Sequence, residues 1–348
     1  MHDLIKKAIT KHDLTKDDIV FLLNNDEYSE ELFKAADEVR QKYVGDEIHL
    51  RGLMEFSNYC KNNCYYCGLR RDNKELTRYR IDIPTILGMA EHGRDMGLKT
   101  VVLQSGEDVW FTKERMIELV SGIKKLDLAL TLSVGEKPTE EYEAYKEAGA
   151  DRFLLRIETT DKELYAKCHP GQVWEDRARC LRDMKRQGYE LGSGCILGLP
   201  GQTMESLADD VLFFREIGAD MVGVGPFIPH PDTPFKNEKG GTLNTGLKVM
   251  ALIRLILPDI NIPATTAMET LAPNGQVKAL QSGANVIMPN ITLKQFREHY
   301  QLYQGKSSTN VAPDKSLEIV HEKIKSIGRT VGLDYGQSPR WLAERQGL

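Results

Sequence analysis

The sequence predicts an α/β protein folded as a complete (β/α)8 TIM barrel, with helices before it and a helical extension after it. Three observations predict this. Eight short apolar runs recur, at 48–54, 100–103, 128–132, 152–157, 191–197, 221–224, 262–266 and 284–288; strands covered on both faces read as such continuous runs. Stretches of helical periodicity separate them, at about 83–96, 113–125, 138–148, 174–187, 204–217, 243–256 and 274–282. Polar residues also gather just past one run after another, where a barrel carries its chemistry. A doubly wound open sheet is the alternative, but its glycine fingerprint is missing after the first run.

Taken in order, residues 1–45 read as a helical segment, with Thr15 in an N-cap position ahead of Asp17 and Asp18. A helix over 29–42 would place Leu32, Ala35, Ala36 and Val39 on one face. Residues 46–291 hold the barrel. Its second strand runs into Gln104-Ser105-Gly106-Glu107-Asp108, the third carries Thr131 and Ser133, and the fourth ends in Arg156-Ile157-Glu158-Thr159. The fifth runs through Ile196 and Gly198, the sixth starts at Met221, the seventh ends in Thr265-Thr266, and the eighth in Met288-Pro289-Asn290. Residues 292–348 form the extension, with a helix end near 296–305 and a helix over 315–327.

The 348 residues carry 46 basic and 51 acidic side chains, a net charge of −5. This gives no electrostatic case for a nucleic-acid partner. Apolar runs fall far short of the roughly 20 residues of a membrane span. The first residues, Met1-His-Asp-Leu-Ile-Lys-Lys, lack the apolar core of a signal peptide. Six cysteines are too few for a disulfide scaffold, so a cytoplasmic, reduced setting is expected; an exposed iron–sulfur cluster would also demand low oxygen.

Directly after the first strand comes Glu55-Phe-Ser-Asn-Tyr-Cys60-Lys-Asn-Asn-Cys64-Tyr-Tyr66-Cys67-Gly68. Cys60, Cys64 and Cys67, spaced C-x3-C-x2-C, can bind three irons of a cubic 4Fe–4S cluster. The fourth iron is then open to the amine and carboxylate of a small molecule, and S-adenosylmethionine fits. One electron into its sulfonium would release a 5′-deoxyadenosyl radical, chemistry that belongs to the cofactor. Three buried apolar cysteines and a zinc site are the alternatives; zinc would want a fourth ligand nearby, and the next cysteine is Cys168.

A zwitterionic ligand needs both charges around it. Glu158 could take its ammonium or ribose hydroxyls, Arg177 its carboxylate, and Ser105 with the Gly106–Glu107 backbone could complete the amine site. Gly198 and the chain around Ile196 would allow close approach to a flat base. For Arg177 the competing reading is a solvated helix face. Arg156, Thr131, Thr265 and Thr266 are donors suited to an anionic substrate, with Gln104 and Met221 beside them, and Tyr303 is expected to touch the cofactor as well as the substrate cavity; a self-paired polar layer is the competing reading. Cys168, Cys180, Cys195, His169, His230 and His299 show no ligand spacing.

The cysteine stretch resembles the radical S-adenosylmethionine superfamily, in which an aromatic at the place of Tyr66 lies near the adenine. Longer motifs are similar to the HydE family of FeFe-hydrogenase maturases: Val102-Leu-Gln-Ser-Gly-Glu-Asp108, Gly223-Val-Gly-Pro-Phe-Ile-Pro-His-Pro-Asp-Thr-Pro234, Ile262-Pro-Ala-Thr-Thr-Ala-Met268, Gly283-Ala-Asn-Val-Ile-Met-Pro-Asn290 and Tyr300-Gln-Leu-Tyr303. Methylornithine synthase and biotin synthase are similar relatives. The resemblance implies a complete barrel with an internal cavity, and radical attack at the sulfur of a cysteine-bound iron carbonyl–cyanide precursor during assembly of the diiron subcluster. It also implies a reductant such as ferredoxin or flavodoxin, and other maturation proteins as partners. The chain departs from the family pattern in three places. The stretch 305–313 has no cysteine, so one cluster is expected. Ile157 replaces the usual histidine, and Glu269 the usual glycine. If Glu269 faced the cavity unpaired it would repel an anion, which keeps open an enzyme acting on an amino acid or thioether; otherwise it turns outward or finds a base such as Lys278 or Arg254.

Overall fold

The computed structural model describes residues 1–307 and 311–347. Residues 308–310, in the cysteine-free stretch, and residue 348 lie outside the described residues. The strands are β1 (Glu47–Ser57), β2 (Thr100–Ser105), β3 (Ala129–Ser133), β4 (Arg152–Leu154), β5 (Glu190–Leu197), β6 (Met221–Pro226), β7 (Val286–Ile287) and β8 (Thr330–Val331). Every pairing between them is parallel. They form one curled sheet in the order β6-β5-β4-β3-β2-β1-β7, with β8 added beside β1. Strands β1 to β7 are largely buried on both faces, in keeping with their apolar character, while β8 is exposed at Thr330 and half-buried at Val331.

The predicted strand at 262–266 does not form a ladder. Residues 261–263 touch the sheet by single bridges, Met221 to Asn261 and Pro263 to Val286, and Thr266 already opens the helix Thr266–Leu271. Pro263 has no N–H to give a ladder, so the contact with β7 is carried by its neighbour, Ala264 N–H to Val286 O at 2.9 Å. The regular sheet is therefore open between β6 and β7.

The seven predicted crossover helices are present, from Ile83–Asp95 to Gly275–Leu280. Thr15 caps the helix Lys16–Asn24 in a reciprocal box with Asp18. The helix Ser29–Val44 buries Leu32, Ala35, Ala36 and Val39 against the helix Leu243–Ile256. Among the described residues, four α-helices lacked a clear sequence signal: Asp3–Lys11, Lys162–Cys168, Thr266–Leu271 and Pro339–Gln346. Among the described residues no helix is long and apolar enough to cross a membrane.

A buried polar layer closes the end of the sheet where the strands begin. Glu190 meets Arg152 in a short ion pair and Arg51 at 3.7 Å. The carbonyl of Gly336, in the extension, accepts from Arg51 Nη2 and Asn261 Nδ2, both at 3.0 Å. A self-paired polar layer thus exists, but at the opposite end from Arg156, Thr265 and Thr266.

Candidate active site

The loop after β1 is shaped by its own backbone groups. Asn58 Oδ1 accepts from Tyr79 N–H at 2.8 Å, and the Arg78 guanidinium donates to the carbonyls of Asn58, Leu69, Arg70 and Asn73. Gly68 N–H donates to Leu302 O at 2.9 Å; a Cβ there would meet Gln301 O at 2.0 Å. At Gly106 a Cβ would meet Tyr59 O at 2.3 Å and Cys60 Cβ at 2.8 Å, so the loop after β2 can lie against the cysteine loop only with glycine there.

The result is a cavity of about 280 Å³ whose wall includes Cys60, Cys64 and Cys67. These three thiols are partly exposed, whereas Cys168, Cys180 and Cys195 are buried elsewhere. Burial pushes the Cys64 thiol up to about 12 and raises Cys60 and Cys67 as well. Left alone they stay protonated; a cationic metal group would draw out the thiolates. Among the described residues no three His, Cys, Asp or Glu side chains converge closely enough for a single ion.

The same cavity is also lined by Ser105, Gly106, Glu107, Glu158, Arg177 and Ile196. Glu158 follows β4 with φ +68, a left-handed conformation uncommon for a residue with a side chain. It is largely buried, and burial raises its carboxyl despite Arg156 and Arg177 nearby. Its Oε2 lies 3.1 Å from Arg156 Nη2. Arg177, on the helix Trp174–Arg186, is buried, so the solvated-face reading is excluded. Its Nε lies 2.7 Å from Glu136 Oε1, its Nη2 donates to Gln172 Oε1 at 3.0 Å, and its Nε donates to Tyr165 Oη at 3.2 Å. Ser105 Oγ donates to Gly106 O at 2.7 Å. Glu107 accepts from Glu136 N–H at 3.0 Å. Tyr66 Oη lies 2.8 Å from His169 Nε2. His169 Nδ1 lies 2.9 Å from Tyr165 O, so Nδ1 carries the proton and Tyr66 donates to Nε2. Burial lowers the His169 pKa to about 3, which keeps this ring neutral.

Below lies a second cavity of about 160 Å³. Gln104, Arg156 and Tyr303 line both cavities and join them. Thr265, Thr266 and Met221 line the lower one; Thr265 Oγ1 donates to Val224 O at 3.0 Å, and Met221 Sδ accepts from Arg51 at 2.8 Å. Two expected residues lie elsewhere. Thr131 is buried in β3 away from both cavity walls, its hydroxyl without a partner. Gly198 packs on the Gly241 backbone, a Cβ there meeting Gly241 Cα at 2.5 Å, and does not line the cavity.

Sequence reasoning missed Glu136, Gln172 and, in the lower cavity, the buried ion pair of Glu55 with Lys306. Glu136 follows the end of β3, so the strand-end rule could have found it; Lys306 comes from the extension and had no local signal. Ile157 is packed in the hydrophobic core. Glu269 pairs with Lys323 at 2.8 Å and accepts from Gln276 N–H at 3.0 Å. Its base is thus neither Lys278 nor Arg254, whose guanidinium is taken by backbone carbonyls and Asn285.

Residues 54–214 match the profile of the radical SAM superfamily. The chain is 51% identical over 318 residues to the [FeFe] hydrogenase maturase subunit HydE of Thermotoga maritima, covering 91% of each protein. It is 33% identical over 287 residues to 3-methylornithine synthase of Methanosarcina acetivorans, covering 81% of each. Among solved structures, methylornithine synthase (PylB) superposes with a TM-score of 0.84 at 28% identity, over 99% of this chain and 100% of that one. Three thiols in one cavity with a buried carboxylate and a buried guanidinium, on a fold and sequence this close, leave one conclusion: the chain belongs to the HydE family of radical SAM enzymes, which use a 4Fe–4S cluster and S-adenosylmethionine.

Proposed function

We propose that this enzyme acts in FeFe-hydrogenase maturation, generating its radical in the upper cavity and directing it at the sulfur of a cysteine-ligated iron carbonyl–cyanide substrate in the lower one. The observation that carries this reading is the continuity of the two cavities through Gln104, Arg156 and Tyr303. Cys60, Cys64 and Cys67 would hold the cluster. Glu158, Arg177, the Ser105–Glu107 turn, Ile196 and Tyr66 would hold S-adenosylmethionine, whose cleavage supplies the 5′-deoxyadenosyl radical. Arg156, Thr265, Thr266, Met221 and Tyr303 would hold the substrate; the Arg156 cation suits an anionic complex.

The outward ion pair of Glu269 with Lys323 supports this reading over an amino-acid-directed enzyme, because it removes the one charge that argued against a bound anion. We also read the sheet as a complete (β/α)8 barrel over 46–291, between a helical segment 1–45 and an extension 292–348. The single bridges at Asn261 and Pro263 support closure of the ring. A cytoplasmic setting, a ferredoxin or flavodoxin as reductant and contact with other maturation proteins complete the reading.

The test is anaerobic incubation with a cysteine-ligated iron dicarbonyl cyanide complex, S-adenosylmethionine and dithionite. The expected result is a carbon-centred radical adduct at the cysteine sulfur by electron paramagnetic resonance. Uncoupled 5′-deoxyadenosine together with consumption of a free amino acid would overturn the assignment.

A further inference from the structure

The turn after the helix Lys162–Cys168 is built by its own residues. In His169-Pro170-Gly171-Gln172, Gln172 N–H donates to His169 O at 3.0 Å. Gly171 has φ +78, the positive value required of the third residue in a turn with proline second. Two contacts fasten this turn to the cysteine loop. Tyr65 N–H donates to Cys168 O at 2.9 Å, and Tyr66 Oη lies 2.8 Å from His169 Nε2. The Gln172 side chain therefore reaches Cys64 from a fixed base. Its Nε2 donates to Cys64 Sγ at 3.3 Å, and its Oε1 accepts from Arg177 Nη2 at 3.0 Å. A guanidinium offers donors only, so Arg177 fixes the amide with its oxygen towards the cation and its NH2 towards the sulfur. Arg177 is itself held by Glu136 at 2.7 Å. Among the described residues, no other side chain donates a hydrogen bond to the sulfur of Cys60, Cys64 or Cys67.

We propose that Gln172 is a positioning residue that raises the reduction potential of the cluster by aiming one N–H at the Cys64 sulfur. The inference rests on the assignment of the cluster to Cys60, Cys64 and Cys67. Reduction by one electron adds negative charge, part of which falls on the cysteine sulfurs. A hydrogen bond to a sulfur stabilises that added charge, and such bonds are among the features that set the potentials of iron–sulfur clusters. The residue type supports this role. If the position served only to satisfy Arg177, a carboxylate would hold the guanidinium more strongly than an amide does. The amide gives up that strength and offers the sulfur a donor. Because Arg177 grips the far end of the amide, it also sets the aim of the bond to Cys64, as partners beyond the direct ligands of a metal site commonly do.

The experiment is a redox titration of the anaerobically reconstituted protein without S-adenosylmethionine, followed by electron paramagnetic resonance of the reduced cluster. Wild type is compared with Gln172→Leu, which fills similar space but has no donor, and with Gln172→Glu, which keeps the contact with Arg177 but has no N–H. At a fixed ambient potential the ratio of reduced to oxidised cluster should fall about tenfold in Gln172→Leu, equal to about 59 mV for a one-electron couple. The fall in Gln172→Glu should be at least as large. Equal potentials in proteins of equal iron content would overturn the proposal, because a residue that only shapes the turn leaves the potential where it is. A second measurement uses wild type alone, with heavy nitrogen in its glutamine side-chain amides. Pulsed paramagnetic resonance should show a coupling between the labelled nitrogen and the reduced cluster. Absence of that coupling would overturn the proposal even if neither variant holds a cluster. If wild type itself assembles no 4Fe–4S cluster, the cluster assignment falls and takes this proposal with it.

Discussion

Arg156 and Glu158, two residues apart after β4, hold each other across the junction of the two cavities, Nη2 to Oε2 at 3.1 Å. The contact is ionic but badly aligned: Glu158 Oε2 and Arg156 Nε are both buried without a hydrogen-bond partner. Such a pair is ready to exchange. When S-adenosylmethionine takes Glu158, Arg156 is released to an anion in the lower cavity. S-adenosylmethionine should therefore tighten binding of the anionic iron complex, by a factor in the range of about 5 to 150 that coupled sites show. Glu158→Gln should give tight complex binding without S-adenosylmethionine, and Arg156→Ala should abolish it while leaving the cluster spectrum unchanged. Calorimetric titration with and without the cofactor decides; equal affinities would sink the coupling.

The second charge of the upper cavity is also engaged. Arg177 is held by Glu136 at 2.7 Å, so a ligand carboxylate must compete for it. Arg177→Ala should weaken S-adenosylmethionine binding by about 2 kcal/mol or more, roughly 30-fold. Glu136→Gln should leave the affinity unchanged or tighten it. A large loss in the glutamine variant would mean that Glu136 helps to bind the ligand instead of competing with it.

Stability should depend on pH through Asp210. Its Oδ1 accepts from the backbone N–H and the hydroxyl of Thr160, at 2.6 and 2.7 Å, but its Oδ2 is buried with no partner. Burial raises its pKa to about 7 from an ordinary 3.8. Between these values the unfolded chain has lost a proton that the folded protein keeps. The contribution of Asp210 therefore falls as pH rises through this window, and the loss is complete above it. Asp210→Asn lacks that dependence. Its melting temperature relative to wild type should climb from about pH 5 to about pH 8; a constant difference would refute the shift.

At the closed end of the sheet Glu190 neutralises two fully buried guanidiniums, Arg51 and Arg152. Glu190→Ala strands both and should cost about 3–5 kcal/mol, read as a lower denaturation midpoint or as insoluble protein. A loss below about 1 kcal/mol would show that the Gly336 carbonyl suffices as partner.

Glu269→Gly restores the residue usual in the HydE pattern. Because Glu269 points to Lys323 and not into the lower cavity, complex binding and S-adenosylmethionine cleavage should not change, and stability should drop by no more than about 1 kcal/mol. A large gain in substrate affinity would place the carboxylate at the substrate after all.

Much of this was written locally. The cysteine spacing, the continuous apolar runs of strands buried on both faces, and the polar residues after each strand are one-dimensional patterns. They set the fold class, placed the three thiols in one loop and put Gln104, Glu158 and Arg156 at strand ends. Helix boundaries followed from capping chemistry, as at Thr15 and Asp18. Three matters were decided only by the tertiary structure. Pro263 withholds its N–H, so an apolar run became a bridged segment and the regular sheet stayed open there. Thr131 shares a strand face with Ser133 but lies one layer deeper than the cavity wall, and Gly198 packs on the Gly241 backbone, because packing sets how deep each cavity reaches. The partners of Arg177 and Glu269 were hidden for the same reason: Glu136 and Lys323 lie 41 and 54 residues away in sequence. A charge pair between distant segments leaves no periodicity or spacing behind. Sequence determines which groups are available and on which element; which of them meet is settled by packing, and the chemistry of this site depends on those meetings.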